Sequence, residues 1–185
     1  MIDILGNIVV IKSGVFAKTN ANPDLYCIQS TDFNKQREWV DNVAPTLANE
    51  YKFARHLLRR GDILFAAKGR DLFAVVYDGA YAPAVASTTF LVLQLNSNRV
   101  LSEYVAWYLN HPTTQKLIAS FARGTAITSI NKSALELLEI SIPDMSKQNT
   151  ILEFSKLQKK ERQLQKQLLK LKQHYLNELT YKSIQ

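Results

Sequence analysis

From Ser146 to Gln185 the chain contains neither glycine nor proline, and its apolar residues recur at heptad spacing. Phe154, Leu157, Leu164, Leu168, Leu171 and Tyr175 follow one another at intervals of 3, 7, 4, 3 and 4 residues. With Leu157, Leu164 and Leu171 at d, the a positions are Phe154, Glu161, Leu168 and Tyr175, so the seam has one charged core position. About 36 helical residues extend roughly 54 Å at 1.5 Å per residue, too far for a small domain to cover. No second helix of this length is present in the sequence. The seam therefore predicts a coiled coil with another chain, and a homodimer is the expectation. In a parallel pair Glu161 would face its own copy, so the antiparallel arrangement is expected.

The residues before Ser146 mix two periodicities. Residues 6–12 and 25–29 read as strands, and 53–58 as one or two helical turns. Residues 31–50 are polar and without clear pattern. Arg60-Gly61-Asp62 turns the chain into the apolar run 63–67. Lys68-Gly69-Arg70-Asp71 forms a tight turn and 72–77 returns, so 62–77 reads as a hairpin. Residues 86–95 read as one further strand. Ser102 is placed as the N-cap of a helix reaching Leu109, and Pro112 lies in the first turn of a helix reaching Phe121. Asn131 is placed as the N-cap for 132–138, and a last strand at 139–142 is closed by Pro143. The fold class is α+β: a mixed globular domain over 1–145, then a long C-terminal coiled-coil helix over 146–185.

Lysine and arginine outnumber aspartate and glutamate by 23 to 16, a net charge of +7, which favours an anionic partner and nucleic acid first. The one cysteine, Cys27, excludes an intrachain disulfide and a cysteine-based zinc cluster and fits a reducing compartment. The N-terminal residues lack a basic region and a cleavage site, and no apolar run is long enough to span a bilayer. A cytoplasmic protein with no membrane partner is expected. His56, His111 and His174 fall in three separate elements without a second ligand at metal spacing. The glycines follow turn logic, with no phosphate-binding loop and no nucleophile elbow. Asp62 and Asp71 near Lys68 give a faint version of a metal-dependent nuclease site, although turn chemistry accounts for the same residues. No catalytic residue, metal site or cofactor is assigned.

DNA binding needs cations for phosphates and loops that enter a groove. The loop cations are Lys35, Arg37, Arg55, Arg59, Arg60, Lys68, Arg70, Arg123 and Lys132. Lys68-Gly69-Arg70 stands out because a hairpin tip can enter a groove. Arg123-Gly124-Thr125 follows, pairing a cation and a short polar side chain with a glycine that permits close backbone approach. The basic face of the C-terminal helix, including Lys156, Lys160, Lys166 and Lys170, reads equally as a phosphate track, a solvated face or a dock for a partner.

Five segments in order resemble the specificity subunits of type I restriction-modification systems. Arg60-Gly61-Asp62-Ile63-Leu64-Phe65, with Lys68-Gly69 after it, resembles their "GDILF" hairpin, and Ala86 through Leu93 their following strand. The helix from Leu101 to Asn110 (LSEYVAWYLN) is similar to the family's "eYLaw-LN" helix. Gly124 through Asn131 resembles "GtaiphIn", and Ile140-Ser141-Ile142-Pro143 with Gln148 and Ile151 resembles the start of the conserved coiled-coil arm. The resemblance implies a target-recognition domain at 1–145 and a dimerisation and spacer helix at 146–185. It implies sequence-specific binding of double-stranded DNA without catalysis. It also implies a methyltransferase (M) subunit as partner and, through it, a restriction (R) subunit. S-adenosylmethionine and ATP belong to those partners. A complete specificity subunit has two recognition domains and two such helices. The chain has one of each, so the expectation is a half-subunit, natural or truncated, whose dimer restores the pair and reads an interrupted palindrome. The rivals are a stand-alone dimeric DNA-binding regulator or antirestriction decoy, and a small metal-dependent nuclease using Asp62 and Asp71.

Overall fold

The computed structural model describes residues 1–69, 71–121 and 129–182. In chain order the strands are β1 (Ile2–Ile4), β2 (Val9–Ser13), β3 (Tyr26–Ile28), β4 (Ile63–Ala66), β5 (Phe73–Val76), β6 (Ala84–Ala86), β7 (Phe90–Leu95) and β8 (Glu139–Ser141). The α-helices are α1 (Leu5–Ile8), α2 (Ser102–Asn110), α3 (Pro112–Phe121), α4 (Lys132–Glu136) and α5 (Met145–Lys182). The chain divides into two compact units, Met1–Met145 and Ser146–Gln185. The class is α+β, with a long C-terminal helix.

The centre of the first unit is an antiparallel sheet in the order β2-β7-β4-β5. The inner strand β4 is buried along its whole length, whereas the edge strand β2 alternates, with Val10 and Lys12 exposed. Ile11, Leu93 and Ile63 stand in one cross-strand row and are buried, with α2 packed on β5. On the opposite face Leu64, Val75, Phe90 and Val92 pack against Ile28, Ala84 and Ala86, which belong to a parallel pair of β3 with β6. The outer edge of β5 is closed by Asn110, whose amide donates to the Ala74 carbonyl at 2.7 Å and accepts from its N–H at 2.9 Å. That bidentate bond blunts an otherwise open strand edge. Antiparallel pairing of β1 with β8 ties the chain start to the end of the unit.

Three local expectations are corrected. Residues 5–8 are helical, not strand. Leu5 and Ile8 are both fully buried three residues apart, a helical spacing, and alternation begins only at Val9. Residues 86–95 are two strands, because Ser87 through Thr89 form a turn. Phe90 N–H donates to the Ser87 carbonyl at 3.0 Å, and the hydroxyls of Ser87 and Thr89 bond at 2.7 Å. Ser102 is the first helical residue, not the cap, and its hydroxyl donates to the Gly61 carbonyl at 2.7 Å, pinning α2 to the hairpin base. The helical turns expected at 53–58 are present as a 3-10 helix that begins two residues earlier, over Tyr51–His56, with Phe53 turned inward.

The second unit is α5, 38 residues with no breaker, about 57 Å long at 1.5 Å per residue.

Candidate nucleic-acid interface

The hairpin is present, with Ile63 opposite Val76 and Ala66 opposite Phe73. The strands end at Ala66 and resume at Phe73, and Arg70 of the expected turn lies outside the described residues. The chain leaving β4 has another partner. Ala67 N–H donates to the Thr89 carbonyl at 2.9 Å, its carbonyl accepts from Ile130 at 2.8 Å, and Lys68 bridges to Ser129. Gly69 then reverses direction at φ +123°, a region that side chains rarely enter. The bridge carries Lys68 to the chain just ahead of α4. There Asn131 caps the helix as expected, its side chain accepting from Ala134 N–H at 2.7 Å. Lys132 is the first residue of that helix and reaches Glu136 at 3.5 Å. An exposed pair of this kind holds its lysine weakly, at about 0.5 kcal/mol. Lys68 and Lys132, both exposed, are thus brought to one edge of the unit. Arg70, Arg123 and Thr125 lie outside the described residues.

Lys35 and Arg37 sit on a loop fastened along the same hairpin. Phe33 and Trp39 pair across it, rings 4.3 Å apart, and Phe33 packs edge-on against Phe73 and Phe90 near the hairpin tip. Trp39 reaches Tyr77 and Tyr81, and its indole N–H donates to Asp78 at 3.1 Å. Asn34 organises the bend, its side-chain oxygen accepting from Gln36 and Glu38 N–H, while Arg37 takes φ 63°. Both basic side chains are left exposed.

Arg60 belongs elsewhere, at the hairpin base. Five strand steps from Asp62 to Ala67 separate base from tip by roughly 17 Å. The Asp62 carboxylate is buried and already engaged, accepting from the Gln94 amide at 3.0 and 3.2 Å and from Arg59 N–H at 2.9 Å. Asp71 lies in the tip loop. The geometry therefore does not gather Asp62, Asp71 and Lys68 into a metal site, and among the described residues no three His, Cys, Asp or Glu side chains come together for one. Arg60 borders a concavity of about 510 Å³ with Lys12, Arg59, Gln94 and Ser102. Lys12 escapes a reading from sequence because it closes an apolar strand. The alternation Lys12, Gly14, Phe16, Lys18 is the signal that could have found it.

Two titratable groups show what burial does here. The Tyr77 phenol is pushed up to about 12 by burial, with Asp78 and Asp62 adding to the effect, and it donates to the Tyr81 carbonyl. Burial also raises the Cys27 thiol, with Asp32 contributing, which leaves it a poor nucleophile at neutral pH.

On α5, Phe154, Leu157, Leu164, Leu168, Leu171 and Tyr175 are all exposed, between 52% and 66%. Leu169, Leu176 and Leu179 add apolar surface outside that seam. Glu161 accepts from Gln165 one turn on, at 3.1 Å. No helix among the described residues is long and apolar enough to cross a membrane.

The family pattern described as "Type I restriction modification DNA specificity domain" matches residues 6–173. The type I restriction enzyme HindI specificity subunit of Haemophilus influenzae is 34% identical over 107 residues, 54% of this chain and 22% of that protein. Among solved structures, the HsdS subunit from Thermoanaerobacter tengcongensis is similar at a TM-score of 0.61 and 17% identity, covering 90% of this chain and 44% of that one. The S subunit of a type I restriction-modification system from M. genitalium is similar at 0.52 and 12% identity, covering 88% and 41%. At such identities the likeness to these structures concerns the fold. The chain spans about a fifth of the curated relative and less than half of each solved chain.

Proposed function

The chain belongs to the type I restriction modification DNA specificity domain family, and from that premise we propose that it recognises a double-stranded DNA sequence. The Met1–Met145 unit is the target-recognition domain. Its contacts come from Lys68 and Lys132 at the hairpin tip, Lys35 and Arg37 on the loop beside it, and Arg60 at the base, together with Arg70, Arg123 and Thr125. The Ser146–Gln185 unit is the dimerisation and spacer helix. Through the seam from Phe154 to Tyr175 two copies associate antiparallel, setting two recognition domains in inverted orientation. The dimer guides a methyltransferase (M) subunit, and through it a restriction (R) subunit, to a bipartite site in the cytoplasm. The chain itself carries no catalysis, metal or cofactor. The observation that carries this reading is the family match running through both units, from residue 6 to residue 173.

Equilibrium binding to duplex DNA tests it. Contact with six or more phosphates lowers affinity roughly 10³-fold or more between 50 and 200 mM salt. Binding that is absent, or flat over that range, refutes the reading. Co-purification of a methyltransferase from the native host separates the specificity subunit from a stand-alone regulator or decoy.

A further inference from the structure

We propose that the surface formed by residues 12–18 and 51–60 grips the sugar–phosphate backbone of the DNA, supplying affinity without sequence preference. This rests on the DNA-binding reading above and extends its contact at Arg60 into a second region, at the base of the hairpin.

One small core, Leu25, Leu47, Phe53 and Val85, lies beneath both segments. Past β2 the chain stays extended, Gly14 N–H donating to Phe90 at 3.0 Å and Val15 N–H to Ala86 at 2.8 Å. Val15 and Ala17 turn inward onto that core, so alternation turns Phe16 and Lys18 outward. In the 3-10 helix Tyr51–His56, Phe53 is buried in the same core while Tyr51, Arg55 and His56 face solvent. The two segments meet at their edges: Lys12, Gly14, Arg55 and His56 line one depression. Lys12 also borders the adjoining concavity with Arg59 and Arg60.

The surface is basic on balance. Glu50 is matched by Lys52 at 2.9 Å, and the carboxylate of the concavity, Asp62, is buried, bonded to the Gln94 amide and Arg59 N–H, and outnumbered by Lys12, Arg59 and Arg60. Among the described residues Lys12, Lys18, Arg55, Arg59 and Arg60 make no ion pair. Two rings interrupt the cations. At 82% and 95%, Phe16 and Tyr51 are the most exposed large apolar side chains among the described residues. A protein partner would want a centre depleted of charge, of lysine above all. Separate rings set among cations on a shallow surface suit phosphates flanked by sugars instead. The surface is also held in shape, since a Cβ on Gly14 would lie 1.9 Å from the Ser87 carbonyl oxygen. Phosphate contacts fix register and orientation, leaving sequence to be read elsewhere.

The test titrates the full chain with a labelled mixed-sequence duplex of about 30 base pairs, three helical turns, and with a duplex recovered by selection on the protein. Lys12→Ala, Arg55→Ala and Arg59→Ala are each expected to lower the slope of log affinity against log salt by about 0.9, and the triple variant by about 2.7. That is roughly 3.5-fold per contact between 50 and 200 mM salt. Losses should be equal on both duplexes. Phe16→Ala and Tyr51→Ala should weaken binding with the slope unchanged, since neither carries charge. Slopes unchanged in the triple variant, while the wild-type chain still binds, overturn this proposal and leave the DNA-binding reading standing. Loss confined to the selected duplex also overturns it, as that marks base reading. A wild-type chain that does not bind overturns both. Should a variant fail to fold by circular dichroism, acetylation of Lys12 and Lys18 in the wild-type chain decides: slowing by the mixed-sequence duplex supports the grip, and unchanged rates refute it.

Discussion

Replacing Gly14 by alanine should cost the Met1–Met145 unit a large share of its stability, although it adds a single methyl group. The new Cβ would lie 1.9 Å from the Ser87 carbonyl oxygen, 2.6 Å from its carbon and 2.7 Å from the Ala86 oxygen. All three are backbone atoms, so no side chain can swing aside. Relief requires the extended segment to lift from the turn between β6 and β7, where Gly14 N–H to Phe90 and Val15 N–H to Ala86 hold it. Overpacking of this kind costs about 1–3 kcal/mol, and losing one of those hydrogen bonds adds about 1 kcal/mol. A total of about 2–4 kcal/mol lowers the melting temperature by roughly 5–15 °C for a unit of this size. Both tryptophans, Trp39 and Trp107, lie in this unit, so their fluorescence follows its melting without interference from α5. Gly69→Ala is the control. Nothing lies within 4 Å of its would-be Cβ, and only its φ of +123° opposes a side chain, which costs about 1–2 kcal/mol. A Gly14→Ala protein melting within about 1 °C of wild type would refute the close-approach reasoning.

Three further outcomes follow from the same geometry. Asn131→Ala removes the bond to Ala134 N–H and should destabilise the unit by about 1 kcal/mol in urea titrations; no change would mean that the cap is redundant. Leu164→Glu should convert a dimer to a monomer in sedimentation at tens of micromolar, with the tryptophan-detected melt unchanged. A wild-type chain already monomeric there would refute pairing through the seam. Tyr77 keeps its proton up to about 12 in the folded chain, against 10.0 for an ordinary phenol. Its contribution is therefore complete below pH 10 and lost as pH rises from 10 to 12, because the unfolded chain ionises first. Tyr77→Phe should flatten the decline of stability across that window, and an unaltered decline would assign it to other groups.

What could be read from the sequence was whatever local chemistry decides. The hairpin at 62–77 declares itself by two apolar runs around a Gly-containing turn, and Asn131 by its place before a helical run. Ser102 misleads because the same hydroxyl that suits a cap is drawn to the Gly61 carbonyl, a partner 41 residues away. The path of the chain leaving β4 depends on Ser129 and Ile130 pairing with Lys68 and Ala67, which local patterning cannot register. The break at 87–89 is a hydroxyl-bonded turn inside an otherwise apolar run, too short to disturb the periodicity. The site candidates divide in the same way. A lysine at a hairpin tip is visible from spacing. That Lys68 and Lys132 share an edge, that Arg60 stands at the other end, and that Lys12 joins Arg55 and Arg59 all depend on strand register.

Selection of bound duplexes from a randomised pool with the purified full chain, followed by sequencing, decides whether this chain recognises a DNA sequence. Enrichment of one interrupted palindrome is expected, with two inverted half-sites at a fixed spacing and the enrichment lost in Leu164→Glu. A pool that stays random while binding remains salt-sensitive would contradict it, reducing the chain to a non-specific polyanion binder.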